Sequence, residues 1–515
     1  MDERLKQTKL NSSKMAVPAI LAKGYIFVSL LLFSQLLLSQ LLLSQVFAFN
    51  PKGQTVTFSD FSFIVDIAST NDRVFFATTG GLIVYNKFSE SWEQPLTGKY
   101  GIDDRDIRRV WADHFGQDIY VESSTELFKY DSLVERWYQI SQLPRLQTEQ
   151  KVVPPPKIMF APKGFNYLND GRLVDDAGRY YSFNNTIEDA TGTLWIGTWG
   201  HGAATALSTS GHIDLLPYGL IQNRVNAILR DEEFLWLAGA IIDNYRSGIT
   251  IFDPEYNEFE HIESGLSRDF PALDINCLAS NQNFVFAGSE LGIIVFDRQT
   301  LLPVDRLKRS DGLTDENVLS LAIRGDSIFA GTASGLNLIL PLTDTGRVSG
   351  PAELFGQIIY DLELVDTTLW IAASQGAYRW FFTSGKLQRF QDPHLIIFSQ
   401  CLAIERWQEF LWLASSEGLL KLNLKTGQTE PYRALTIDRN YRALAVNDTI
   451  AVASSGLGFT MLFHDNPKPY TREFTTDDGL PSSYIFDLKL EGDYLWIGSD
   501  RGLTRFLWNN PSRVD

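Results

Sequence analysis

The chain has 515 residues, 44% of them hydrophobic and 21% charged, with a formal net charge of −17. That balance excludes a mostly disordered chain, a collagen and a multi-span membrane protein. So negative a molecule repels a phosphate polyanion, and nucleic acid is not expected as a partner.

The first 23 residues carry Arg4, Lys6, Lys9, Lys14 and Lys23 against Asp2 and Glu3, a local charge of +3 that leaves −20 downstream. The stretch that follows, GYIFVSLLLFSQLLLSQLLLSQVFA over 24–48, holds no charge. A basic lead, an apolar run and Val46-Phe47-Ala48 read as a secretory signal peptide over 1–48, cut after Ala48. The run is also long enough to remain as an uncleaved anchor, although its Ser-Gln pairs dilute it and favour removal. No second apolar segment of that length follows, so no membrane span is expected after residue 48. Residues 49–515 are expected to be exported, to the periplasm or the cell surface.

From there one pattern recurs: apolar, aromatic, apolar, small, then a turn and a glycine-containing strand. Its copies include VFFATTGGLIVY at 74–85, IYVESSTELFKY at 119–130, LWIGTWGHGAATAL at 194–207, LWIAASQGAYRW at 369–380 and LWIGSDRGLTRF at 495–506. There are ten copies, and their second residues are Phe75, Tyr120, Trp195, Trp236, Phe286, Phe329, Trp370, Trp412, Ala451 and Trp496. Eight of the nine intervals lie between 39 and 50 residues; Tyr120 to Trp195 is 75. Such a period matches a four-stranded propeller blade. The long interval is either an eleventh, degenerate blade or an insertion, at about 141–185. Between copies lie Gly-Leu or Gly-Ile turns, as at Gly101-Ile102, Gly219-Leu220, Gly265-Leu266, Gly312-Leu313 and Gly479-Leu480. Glycine supplies the positive φ these turns demand, and the aliphatic residue is expected to plug the gap between blades.

The expected fold is therefore all-β: a β-propeller of ten or eleven four-stranded blades over 49–515, as one large ring or two smaller rings. The last copy ends at Phe506-Leu507-Trp508 without an outer strand, while Thr55-Val56-Thr57-Phe58 precedes any repeat. The N-terminal strand should complete the last blade, pairing two otherwise exposed edges. End-to-end closure tilts the choice towards one ring.

The units LWIGT…G…L, LWIGSDRGLTRF and the linking D-G-L-P of Asp478–Pro481 resemble the two-component regulator propeller repeat. The likeness runs over 55–508, and it extends to the propeller part of a type IX secretion surface protein. The resemblance implies an exported receptor for carbohydrate-type signals, or a surface-assembly component with an envelope protein partner. In the sensors a membrane span and a histidine kinase follow the propeller; here the sequence ends after the repeats.

The strand before each copy should line the axial channel. One aligned position in it reads Asp66, Arg109, Asn185, Ala227, Cys277, Ser320, Asp361, Cys401, Ala443 and Asp487. Asp66, Arg109, Asn185, Asp361 and Asp487 are the candidate ligand-binding residues, provided that the three acids converge on one axis. The competing view makes them solvated channel walls. Cys277 and Cys401 share this place in the repeat, so two buried thiols are expected in preference to a disulfide. Trp199 and His201, in the extra Trp-Gly-His-Gly of the third copy, form a second candidate, a sugar-stacking surface; packing against 150–180 explains them equally well.

The six histidines form no metal-ligand pair, and no metal or cofactor is expected. No nucleophile elbow, phosphate loop or zinc-protease motif occurs, so no catalytic residue is assigned. The favoured function is a non-enzymatic binding propeller, of sensor type or in surface assembly. Two alternatives stand beside it. One is a polysaccharide lyase or glycoside hydrolase using Asp361, Asp487 and Arg109. The other is the sensor half of a two-component system whose kinase is encoded separately.

Overall fold

The computed structural model describes residues 55–98, 101–114, 118–147, 150–241, 246–340 and 347–509. The signal peptide expected over 1–48 lies outside them. Among the described residues there is no α-helix, and the strands form ten antiparallel sheets. Each copy of the repeat supplies the middle two strands of a sheet. In one, Thr368–Ala373 pairs with Gly376–Phe381, flanked by Ile359–Val365 inside and Lys386–Arg389 outside. Its alternation explains why both faces read as apolar: Leu369, Ile371 and Ala373 pack against the preceding blade, Trp370 and Ala372 against the following one.

Seven sheets close into a ring. Their strands span 227–263, 275–307, 318–349, 359–389, 403–432, 444–474 and 485–507, here blades 1 to 7. Each innermost strand packs against the next, and Ile485–Glu491 of blade 7 packs against Ala227–Asp231 of blade 1. The N-terminal strand closes the ring as expected. Thr55–Phe58 lies antiparallel to the outer strand of blade 7, with Thr55 opposite Phe506 and Phe58 opposite Leu503. Val56 and Phe58 are buried at the blade 7–blade 1 seam with Leu220, Ile228 and Trp496.

A single ring of ten does not form. The other three sheets, over 64–92, 109–140 and 151–216, make an open stack in which the first lies between the second and the third. The physical reason is on the far face of the second sheet. Where a further blade would need apolar side chains, Arg109 pairs with Glu122 and Lys129 pairs with Asp118 at 2.8 Å. A polar outer face is what ends a stack of repeats. The irregular interval is not a separate sheet. Its strands Lys151–Val152, Phe165–Leu168 and Arg172–Asp175 join the third sheet, which reaches seven strands. Met159, Leu173, Tyr181 and Phe183 there cover Leu194 and Ile196 on that sheet.

The plugging turns behave as expected at Leu220, Leu313 and Leu480, all buried between blades. Gly312 and Gly479 have φ of 105° and 92°, which confirms their role in the turn. Leu266 differs: it is 56% exposed, and Phe270 fills the gap in its place. Stack and ring meet through Tyr218, which stacks on Trp92 of the stack at 4.8 Å and packs edge-on against Phe259 of blade 1 at 5.2 Å. The Asp60 amide also donates to Asn223 Oδ1 at 2.8 Å.

Candidate functional site

The ring's inner strands enclose a cavity of about 420 Å³. Side chains at alternate positions reach it, because successive residues of a strand point to opposite faces. The upper of two layers carries Ala227, Cys277, Ser320, Asp361 and Asp487, and on blade 6 Leu444 takes this register, one residue beyond the aligned Ala443. A β-bulge precedes Cys277, Ser320, Asp361 and Asp487, and it turns these side chains towards the axis. Two residues further along lie Glu363 on blade 4 and Lys489 on blade 7, level with Glu405 on blade 5. They occupy equivalent registers, opposite Trp370, Trp496 and Trp412. Ala279 and Ala322 hold this level on blades 2 and 3, opposite Phe286 and Phe329.

Asp361 and Asp487 thus share one channel with each other, but their carboxylates are occupied. Asp361 accepts from the Leu362 amide and from the Ile404 amide of the next blade, both at 2.8 Å. Asp487 does the same with Leu488 at 2.8 Å and Ile228 at 2.7 Å. Burial outweighs these bonds and raises both carboxyls, Asp361 to about 6. Glu363 is pushed up to about 8 by burial and by neighbouring Glu405, and Glu405 to about 7 by burial. Lys489 is raised by the negative field of Asp487, Glu405, Asp361 and Glu363. Glu363, Glu405 and Lys489 were not among the residues expected from sequence. For Glu363 and Lys489 the signal was available, since a residue two positions beyond a channel-facing one faces the same channel; Glu405 lies two beyond Ala403, not two beyond the aligned Cys401.

Two hydroxyls in this cavity lack hydrogen-bond partners. Tyr360 Oη and Ser320 Oγ are both buried, their residues 6% and 5% exposed. The Arg442 guanidinium lies over the Tyr360 ring at 5.0 Å.

Asp66, Arg109 and Asn185 do not join this channel. They belong to the stack, so the three aligned acids do not share one axis, and the single five-residue site is corrected. Asp66 latches the Val110 amide of the neighbouring sheet at 3.0 Å and accepts from Asn185 Nδ2 at 2.8 Å. Arg109 points outwards, its side chain 66% exposed. The physical reason is the split itself: the first and third sheets close on each other before the ring begins.

Cys401 also departs from the alignment. Its amide donates to the Ala373 carbonyl of the preceding blade, and Ala403, opposite Ala414, takes the channel-facing register. Both cysteines are free thiols, raised by burial.

Trp199 and His201 do not form one surface. Trp199 packs edge-on against Phe63 at 5.1 Å and lines a cleft of about 830 Å³ between stack and ring. His201 turns the other way, into the ring faces of Phe165 and Tyr181, each at 5.0 Å. Its Nδ1 lies 3.1 Å from Arg246 Nη1. Arginine can only donate, so Nδ1 accepts and the ring is neutral. Burial and the Arg246 charge push this histidine down to about 3.

No family model matches the chain, and no curated protein matches it. Solved structures of similar architecture include the extracellular domain assigned to the hybrid two-component system BT3049 of B. thetaiotaomicron. It is 15% identical, over 86% of this chain and 61% of its own length, with a TM-score of 0.45. PorZ, an essential surface component of the type IX secretion system of Porphyromonas gingivalis, is 14% identical over 86% of this chain and 68% of its own, with a TM-score of 0.46. The extracellular domain of BT4673 of B. thetaiotaomicron is 13% identical over 87% and 70%, with a TM-score of 0.45. This chain spans about three fifths of the BT3049 domain, and at these values the likeness concerns architecture alone.

Proposed function

We propose that this chain is an exported, non-enzymatic β-propeller that binds a small polar ligand in the axial channel of its seven-bladed ring. One observation carries the reading: charged side chains on three blades and two unpartnered, buried hydroxyls border one cavity. A buried hydroxyl without a partner costs free energy, and a polar ligand removes that cost. A carbohydrate-type signal or an envelope protein docked at the channel mouth is the finer form of the same reading. Sensor and surface-assembly roles both accommodate it.

The enzyme alternative built on Asp361, Asp487 and Arg109 does not assemble, since it needs a carboxylate free to take a proton with that arginine beside it. Asp361 and Asp487 each hold two backbone amides, and Arg109 lies in the stack. The test is a thermal-shift and calorimetric screen of the intact exported chain against small polar ligands and a polysaccharide panel. Binding that a channel-filling Ala227→Trp abolishes supports the reading. Turnover of any polysaccharide that is lost in Asp361→Asn overturns it.

A further inference from the structure

Four carboxyl groups border the channel, Asp361, Glu363, Glu405 and Asp487, beside three cations, Lys489, Arg442 and Arg224. Within the ring the charges are one-sided. Glu363 and Glu405 sit on adjacent blades, Lys489 on blade 7, and alanines hold this level on blades 2 and 3.

Resting on the channel as the ligand site, we propose that the ligand is a small organic cation bearing a primary ammonium group, held by Glu363 and Glu405. Three observations select this chemistry. Glu363 and Glu405 have no hydrogen-bond donor or ion-pair partner within bonding distance among the described residues, unlike Asp361 and Asp487. An ammonium group offers three donors to them. Among the described residues no three acidic, histidine or cysteine side chains are grouped to hold a metal ion. Carboxylates spread around a ring of strands can each accept one N–H at ordinary hydrogen-bond length, which a chelated metal does not permit. Tyr360 Oη and Ser320 Oγ, both without partners, supply polar contacts for the rest of the molecule.

The binding also has a proton signature. Glu363 and Glu405 repel each other and hold protons near neutral pH. An incoming ammonium ion favours their ionised forms, so binding releases protons to solvent. The groups around the pair are Asp361, Asp487, Lys489 and Arg406.

The ammonium group could belong to a polyamine or to an amino sugar, and the experiment separates them. Calorimetry on the intact exported chain uses 1,4-diaminobutane, glucosamine, glucose and N-acetylglucosamine, in two buffers of different ionisation enthalpy. At least one amine binds, with a buffer-dependent heat that reports proton release, and both neutral sugars bind more weakly. Glu363→Gln with Glu405→Gln weakens the amine by about 10–100-fold, the loss of one or two charge-assisted hydrogen bonds. Lys489→Met removes the competing cation and tightens the amine, a gain that misfolding does not mimic. Neutral sugars that bind as tightly as amines overturn the ammonium class, and if Ala227→Trp blocks them the channel site itself stands. If no probe binds, or if every probe binds Ala227→Trp as it binds the parent, the ammonium proposal and the channel site both fall.

Discussion

Asp487 Oδ2 accepts the Ile228 amide at 2.7 Å, joining the last blade of the ring to the first. The same bond recurs from Asp361 to Ile404 at 2.8 Å and, in the stack, from Asp66 to Val110 at 3.0 Å. In each case the aspartate follows a β-bulge on the innermost strand, and the amide belongs to the innermost strand of the next sheet. The acid that recurs in the sequence is therefore a latch between neighbouring sheets.

Cutting the latch at the seam should cost stability. Asp487→Ala leaves the Ile228 amide without its acceptor, a loss of about 1–3 kcal/mol. Asp487→Asn keeps one carbonyl oxygen and should lose less. Urea unfolding midpoints of the two variants against the parent measure this. Equal midpoints for parent and Asp487→Ala would show that the bond contributes nothing.

The N-terminal strand closes the same seam from outside. Val56→Asp places a carboxylate among Ile228, Trp496 and Leu503, where an unpaired charge is strongly disfavoured. The expected result is a lower thermal midpoint and early proteolysis within 485–507. Thr55→Ala, at the half-buried start of the strand, should leave both unchanged. A Val56→Asp protein as resistant as the parent would mean that the strand is dispensable for closure.

The repeat made the blades and the closing strand legible in the sequence, because a period near 42 residues and an unpaired head and tail are one-dimensional facts. The division into seven and three was not. It depends on which sheet faces which, and its one local sign was the charge alternating with aromatics in Arg109, Glu122, Lys129 and Asp118. Half of the channel was legible as well. Asp361 and Asp487 were found from their alignment, but Glu363 and Lys489 were missed because a single column was followed, and Glu405 because that column is two residues out of register at Cys401. Asp66 was included because identical local registers recur in both the stack and the ring. Ser320 Oγ and Tyr360 Oη could not have been singled out, since a missing partner is visible only in three dimensions.

Acid should weaken the joint between stack and ring. His201 and His261 are held at about 3 and about 4 by burial and by Arg246, below their ordinary value of 6.5. The unfolded chain takes up these protons first, so the stability they contribute is full above pH 6.5 and is lost as pH falls towards 3–4. Arg179, Asp175 and Glu263 complete the charged surroundings. His201→Gln retains an acceptor for Arg246 and removes one titrating group. Its thermal midpoint should fall less steeply than the parent's between pH 6.5 and 4; parallel curves would show that His201 does not titrate in this way.

The channel should respond in the opposite direction. Glu363, Glu405 and Asp361 sit at about 8, 7 and 6, above the ordinary carboxyl values of 4.5 and 3.8. Between those values the folded ring keeps protons that the unfolded chain has released. Stability from this cluster is therefore full below about pH 4 and is lost as pH rises towards 8. Glu363→Gln is permanently neutral at the centre of the effect. It should match the parent near pH 5 and exceed its thermal midpoint by about 1–2 °C at pH 9, the shift that about 1 kcal/mol gives in a ring of this size. Because Lys489 draws charge from the same carboxylates, Lys489→Met should steepen the parent's decline over that range. A Glu363→Gln protein that is less stable than the parent at pH 9 would mean that the ionised side chain is a net favourable partner of Lys489, and the sign assigned to the cluster would be reversed.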